Sequence, residues 1–175
     1  MIRDLWVALM ALAAAWATAT GATATVPGPE AALIAAVNAE RAAAGLAPLT
    51  PDRRLACAAE AHARDLAGGA RFGHTGSDGG DLAARLGRVG YAYRTAAENL
   101  AEAGPDVAEV VALWRASPGH ARNMLSLGSR DAGAARIRGR DGRYIRYIWV
   151  LVVAATQPET PGNPTILTNC TAISG

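Results

Sequence analysis

About a quarter of the 175 residues are alanine, against a single Phe and only 5% aromatic residues. A core made from such side chains has to be packed closely from small groups, and alanine is the residue that loses least in a helix. The length allows one ordinary domain. With 51% hydrophobic and 18% charged residues, the composition excludes a disordered chain. All 17 basic residues are arginine, yet the formal net charge is only +2. No basic run exceeds two residues, and Asp141 interrupts the densest stretch, Arg136 to Arg146. A nucleic-acid footprint needs a clustered positive stripe, so no nucleic-acid partner is expected.

The apolar residues fall in two places. From Leu5 to Ala17 the chain is unbroken Leu, Trp, Val, Ala and Met, and Ala22-Thr23-Ala24 offers a small-residue cleavage site. This is the layout of a secretory signal peptide over 1–24, followed by a linker over 25–29. The run is shorter than the roughly 20 residues that span a bilayer; a retained anchor is the alternative. Export makes the protein secreted or periplasmic, with no membrane span after cleavage. In an oxidising compartment two cysteines suggest one disulfide, Cys57 with Cys170. It would pin the Pro- and Thr-rich tail over 156–175. Two free thiols are the other reading.

Between leader and tail, 30–155 reads as the domain. Leu33, Ile34, Val37 and Arg41 recur at helical spacing in a helix from Glu30 to Ala44. A second helix starts at Thr50-Pro51-Asp52, with Leu55, Ala58, Ala59, His62 and Leu66 on its inner face, and Gly68-Gly69 stops it. A Gly-, Ser- and Asp-rich loop over 70–81 leads to a short helix over 81–88, buried through Leu82, Ala83 and Leu86. Asp78 and Asp81 suit a turn and a helix cap better than a calcium site. Val107, Val110, Val111 and Trp114 form an amphipathic stripe, which Ser117-Pro118-Gly119 interrupts. Asp131 to Arg138 and Tyr144 to Ala155 read as strands joined by a turn at 140–143. Helices first and a hairpin last argue for an antiparallel sheet covered by helices, an α+β fold.

The chain has only three histidines. His74, in Phe72-Gly73-His74-Thr75-Gly76, and His120, in Ser117-Pro118-Gly119-His120, lie outside the expected regular elements. Glu98 stands in Ala96-Ala97-Glu98-Asn99-Leu100. Two imidazoles and a carboxylate suit zinc ligation or acid–base work, but their spacing alone does not bring them together. His62, on a helix face, reads as structural, and Trp114 as core. Asn99, Arg122 and Asn123 read as ties to backbone carbonyls.

In order, these segments resemble the CAP superfamily of cysteine-rich secretory, antigen 5 and pathogenesis-related proteins, above all its bacterial secreted branch. The likeness is carried by Leu33 to Arg41, Gly45 to Leu49, Ala59 with His62, Phe72 to Thr75, Gly90-Tyr91, Ala97 to Leu100 and Trp114 to His120. It implies a three-layer α-β-α sandwich with a small antiparallel sheet. It also implies a cavity of two histidines and two glutamates, in some members around a divalent metal. His74, Glu98 and His120 take three places; Ser117 stands at the fourth, and Ala97 replaces the usual Gly. Both departures weaken metal binding, although one carboxylate, two imidazoles and a water could hold Zn²⁺.

Two functions follow from the resemblance, and a structural envelope component, needing only the disulfide and the exported fold, is a third reading. One is a monomeric, non-enzymatic protein binding a lipid, a cell-wall fragment or a partner protein at that cavity. The other is a metal-assisted hydrolase using the same residues.

Overall fold

The computed structural model describes residues 27–139, 146–157 and 170. The leader (1–24), the turn at 140–143 and most of the tail lie outside the described residues. In chain order the elements are α1 (Pro29–Ala43), β1 (Thr50–Pro51), α2 (Arg53–Ala67), α3 (Leu82–Arg88), β2 (Tyr93–Ala103), α4 (Val107–Ala116), α5 (Pro118–Met124), β3 (Asp131–Arg138) and β4 (Tyr147–Thr156). The sheet order is β1-β3-β4-β2, with β1 parallel to β3 and the other pairs antiparallel.

Ile148 to Ala155 of β4 are all buried, because layers of helices cover both faces of the sheet. Trp149, Leu151 and Val153 meet Leu33, Ile34 and Val37 of α1 and Val110, Val111 and Trp114 of α4. The alternate residues Ile148, Val150, Val152 and Ala154 meet Leu55, Cys57, Ala58, Ala59 and Leu66 of α2 and Leu86 of α3. Strand alternation thus divides one apolar run between two cores, and the fold is the expected three-layer α-β-α sandwich. Small residues set its spacing: a Cβ on Gly133 of β3 would stand 2.1 Å from the backbone of Leu55 and Ala56, so α2 lies directly on the sheet. Among the described residues, no helix is long and apolar enough to cross a membrane.

The Cys57–Cys170 disulfide is formed, with the Cα atoms 5.1 Å apart. Asp52 and Asp81 cap α2 and α3 by accepting from backbone N–H groups, and Asp78 accepts from Gly80 N at 2.8 Å. The acidic loop is therefore a turn and cap, as its sequence implies.

Four local expectations are corrected. Thr50-Pro51 does not open the second helix but forms β1 against β3, and α2 begins at Arg53 behind its cap Asp52. No strand was expected over 93–103, where alanine is frequent and β propensity low; pairing with β4 along nearly its whole length overrides that propensity. Ser117-Pro118-Gly119 does end α4, but Pro118 also opens α5, where a proline at the first position has no hydrogen bond to lose. On α3 the inward residues are Arg85 and Leu86, while Ala83 is exposed.

Candidate functional site

β2 is an edge strand, and its outward carbonyls are taken by side chains of the helices that follow it. Asn123 Nδ2 donates to Glu98 O at 3.3 Å, and Trp114 Nε1 to Leu100 O at 3.0 Å. These bonds blunt the edge and seat α5 against it. Asn99 Nδ2 donates to His120 O at 3.0 Å, and Asn123 also reaches Asn99 Oδ1 at 2.9 Å. The two asparagines act as the expected ties to backbone carbonyls, and together they fix His120 beside Glu98's strand. The His120 ring sits edge-on to Trp114, with ring centroids 6.5 Å apart.

On the other face of the sheet, Glu98 is almost completely buried. Arg85 Nη2 donates to its Oε1 and Oε2 at 3.0 and 2.8 Å, and His74 Nδ1 lies 2.9 Å from Oε1. A carboxylate only accepts, so Nδ1 carries a proton in this hydrogen bond and Nε2 takes no part in it. The His74 side chain is 58% exposed, whereas those of Glu98 and Arg85 are 2% and 5% exposed. Arg85 Nη1 also donates to His74 O at 3.2 Å and Gly80 O at 3.3 Å. The guanidinium therefore holds the carboxylate and two carbonyls of the loop that carries His74.

His62 is buried on α2. Its Nε2 donates to Gly73 O at 2.9 Å, one residue before His74, and stands 3.8 Å from Glu98 Oε1. Burial holds the His62 pKa below the usual histidine value; the Arg85 charge adds to this, while Glu98 opposes it. Burial also lowers the pKa of His120, helped by the neighbouring His74. Both rings are kept neutral by the fold. The unfolded chain takes up these protons near pH 6.5, so folding stability is full above that value and falls as pH drops below it. Melting temperature is expected to decline from pH 7 to pH 5, and His62→Gln to flatten the decline. An unchanged slope in that variant would assign the loss to other groups.

The structure thus brings His74 and Glu98 into contact, while His120 is held at the edge of β2 through Asn99, near enough to His74 for an electrostatic influence. Ser117 is half-buried at the N-cap of α5 and makes no side-chain capping bond. Arg85 is absent from the expected site, although Leu82, Arg85, Leu86 and Val89 share one helical stripe and its charge on that stripe is a usable signal. A groove of about 310 Å³ lies elsewhere, between α1 and α4–α5, and includes Glu40, Ala43, Arg115, Ala121 and Met124. It contains none of the three expected site residues.

A zinc centre with catalytic function takes three protein ligands. Here both Glu98 oxygens are engaged by Arg85, and His74 Nδ1 is engaged by Glu98. His74 Nε2, His120 and the buried, unpartnered His62 Nδ1 remain as donors, but among the described residues no three His, Cys, Asp or Glu side chains are grouped to hold a metal. The residues present do not fit a resident zinc.

The cysteine-rich secretory protein (CAP) family matches residues 34–153, which take in part or all of every element of the sandwich. The chain belongs to this family. YkwD of Bacillus subtilis is 34% identical over 109 residues, covering 62% of this chain and 42% of YkwD. An extracellular protein of Bacillus anthracis with an SCP domain superposes with a TM-score of 0.64 at 24% identity, over 73% of this CAP chain and 40% of its own. An outer surface protein of Borrelia burgdorferi gives 0.65 at 23% identity, over 73% of this chain and 92% of its own. The chain therefore spans less than half the length of the two Bacillus relatives.

Proposed function

We propose that this CAP domain is exported and binds a cell-wall fragment at the surface around His74 and His120, backed by the buried Glu98. The leader over 1–24 supports export to a secreted or periplasmic location, as do relatives described as extracellular or as an outer surface protein. The observation that carries the binding reading is the Arg85–Glu98–His74 chain of hydrogen bonds. It fixes an exposed imidazole with Nε2 free, next to a second imidazole that burial keeps neutral. Imidazole nitrogens, which can donate or accept, suit the hydroxyl and amide groups of a glycan–peptide fragment. Phe72, two residues from His74 and 48% exposed, adds apolar surface for a sugar ring. A lipid tail would require an enclosed apolar cavity, and His74 is open to solvent.

Calorimetric titration of the oxidised protein with a soluble disaccharide–peptide of the wall is the test. Saturable binding is expected, weakened at least tenfold by His74→Ala and by His120→Ala, with Leu113→Ala as an unaffected control. No binding of this probe, combined with saturable binding of a fatty acid or sterol, would replace the wall reading by a lipid one. Cleavage of the probe, seen by mass spectrometry, would move the assignment to the hydrolase reading.

A further inference from the structure

We propose that Arg85 is the built-in counterion of this site, occupying the face of Glu98 that a divalent metal would need and so making the site metal-independent. Arg85 takes both carboxylate oxygens, at 3.0 and 2.8 Å, and is itself held by His74 O and Gly80 O. Its side chain is 5% exposed, so leaving Glu98 would mean breaking four hydrogen bonds at a buried position. The charges agree with the geometry. Glu98 and Arg85 cancel, and Ser117 supplies no second carboxylate, so the site has no surplus negative charge for a dication. A metal would also lie beside a buried guanidinium, where repulsion is poorly screened. His62 cannot substitute as a ligand through Nε2, because that nitrogen donates to Gly73 O. Arg85 is thus a positioning residue: it orients Glu98, which in turn orients His74. This inference does not depend on the identity of the ligand.

Zinc affinity of the full chain, measured by equilibrium dialysis for wild type, Arg85→Gln and Arg85→Lys, tests the proposal. Arg85→Gln is expected to bind Zn²⁺ at least tenfold more tightly than wild type, by freeing Glu98. Adding Glu98→Gln should abolish the gain, and Arg85→Lys should show none. Equal affinity in wild type and Arg85→Gln would overturn the proposal. A second readout needs no variant. In chelator-treated wild type, long-range ¹H–¹⁵N correlation is expected to show His74 protonated at Nδ1. A ring that takes this state only after zinc is added would overturn metal independence. Neither measurement involves the wall fragment, so failure here is separable from failure of the binding reading.

Discussion

Glu98→Ala is expected to destabilise the protein by about 3–5 kcal/mol, the range for removing one partner of a buried ion pair. Glu98 and Arg85 are 2% and 5% exposed, and the guanidinium has no other carboxylate among its hydrogen-bond partners. Truncation leaves a buried positive charge facing a cavity, and it also frees the His74 ring. Urea unfolding gives the measurement, provided that the slope of the transition is unchanged and the midpoint alone moves. The double variant Glu98→Leu with Arg85→Met should recover at least half of the loss. Well-packed apolar groups often replace a buried ion pair at little cost. A loss below about 1 kcal/mol in Glu98→Ala would mean that Arg85 finds solvent as soon as the carboxylate is gone; the pair would then be a surface contact of small worth.

The same pair shows how far the sequence can be read. The inner faces of α1 and α2 are legible residue by residue: Leu33, Ile34, Val37 and Arg41, then Leu55, Ala58, Ala59, His62 and Leu66, are all buried. Helical periodicity is a local property, and these stripes carry it. β2 is not legible, because Ala96, Ala97, Ala101 and Ala103 show neither β propensity nor alternation. Its existence depends on a partner some fifty residues away, Val150 facing Leu100 and Val152 facing Glu98. His74, Glu98 and His120 can be named from motif order. Their contacts cannot, because a loop, an edge strand and a short helix meet only after the sheet has formed. Arg85 escapes notice because a charge on an otherwise apolar stripe passes for surface. The clue is geometric: three residues after Leu82, it has to point inward. Arg41 is the instructive contrast. It too falls on an inner face, and its guanidinium bonds three carbonyls, Ala47 O, Met124 O and Ser126 O, with no acid involved.

Cys170→Ser is expected to lower stability by up to about 4–5 kcal/mol, through the unfolded state more than the folded one. The disulfide joins residues 113 positions apart, so its loss releases a loop spanning most of the domain. In the chain-entropy model a loop of this length is near the upper end of disulfide stabilisation. For a domain of roughly 150 residues, that corresponds to a fall of about 10–15 °C in melting temperature. Cys170 is the better site to change, since Cys57, on the inner face of α2, is 1% exposed and shares a core with Ala58 and Leu66. Its substitution would mix loss of packing with loss of the crosslink. Reduction of the wild type should reproduce the Cys170→Ser midpoint, while adding reductant to the variant should change nothing. The unfolding slope should rise in both cases, because an uncrosslinked chain exposes more surface when it unfolds. A midpoint shift of less than about 1 kcal/mol, with the slope unchanged, would show that the unfolded chain is already compact between residues 57 and 170. The bridge would then serve only to fasten the tail to α2. The entropic account makes the opposite demand: the loss should be the same whether the crosslink is removed by reduction or by mutation, and deleting the tail beyond Gln157 from Cys170→Ser should cost little more.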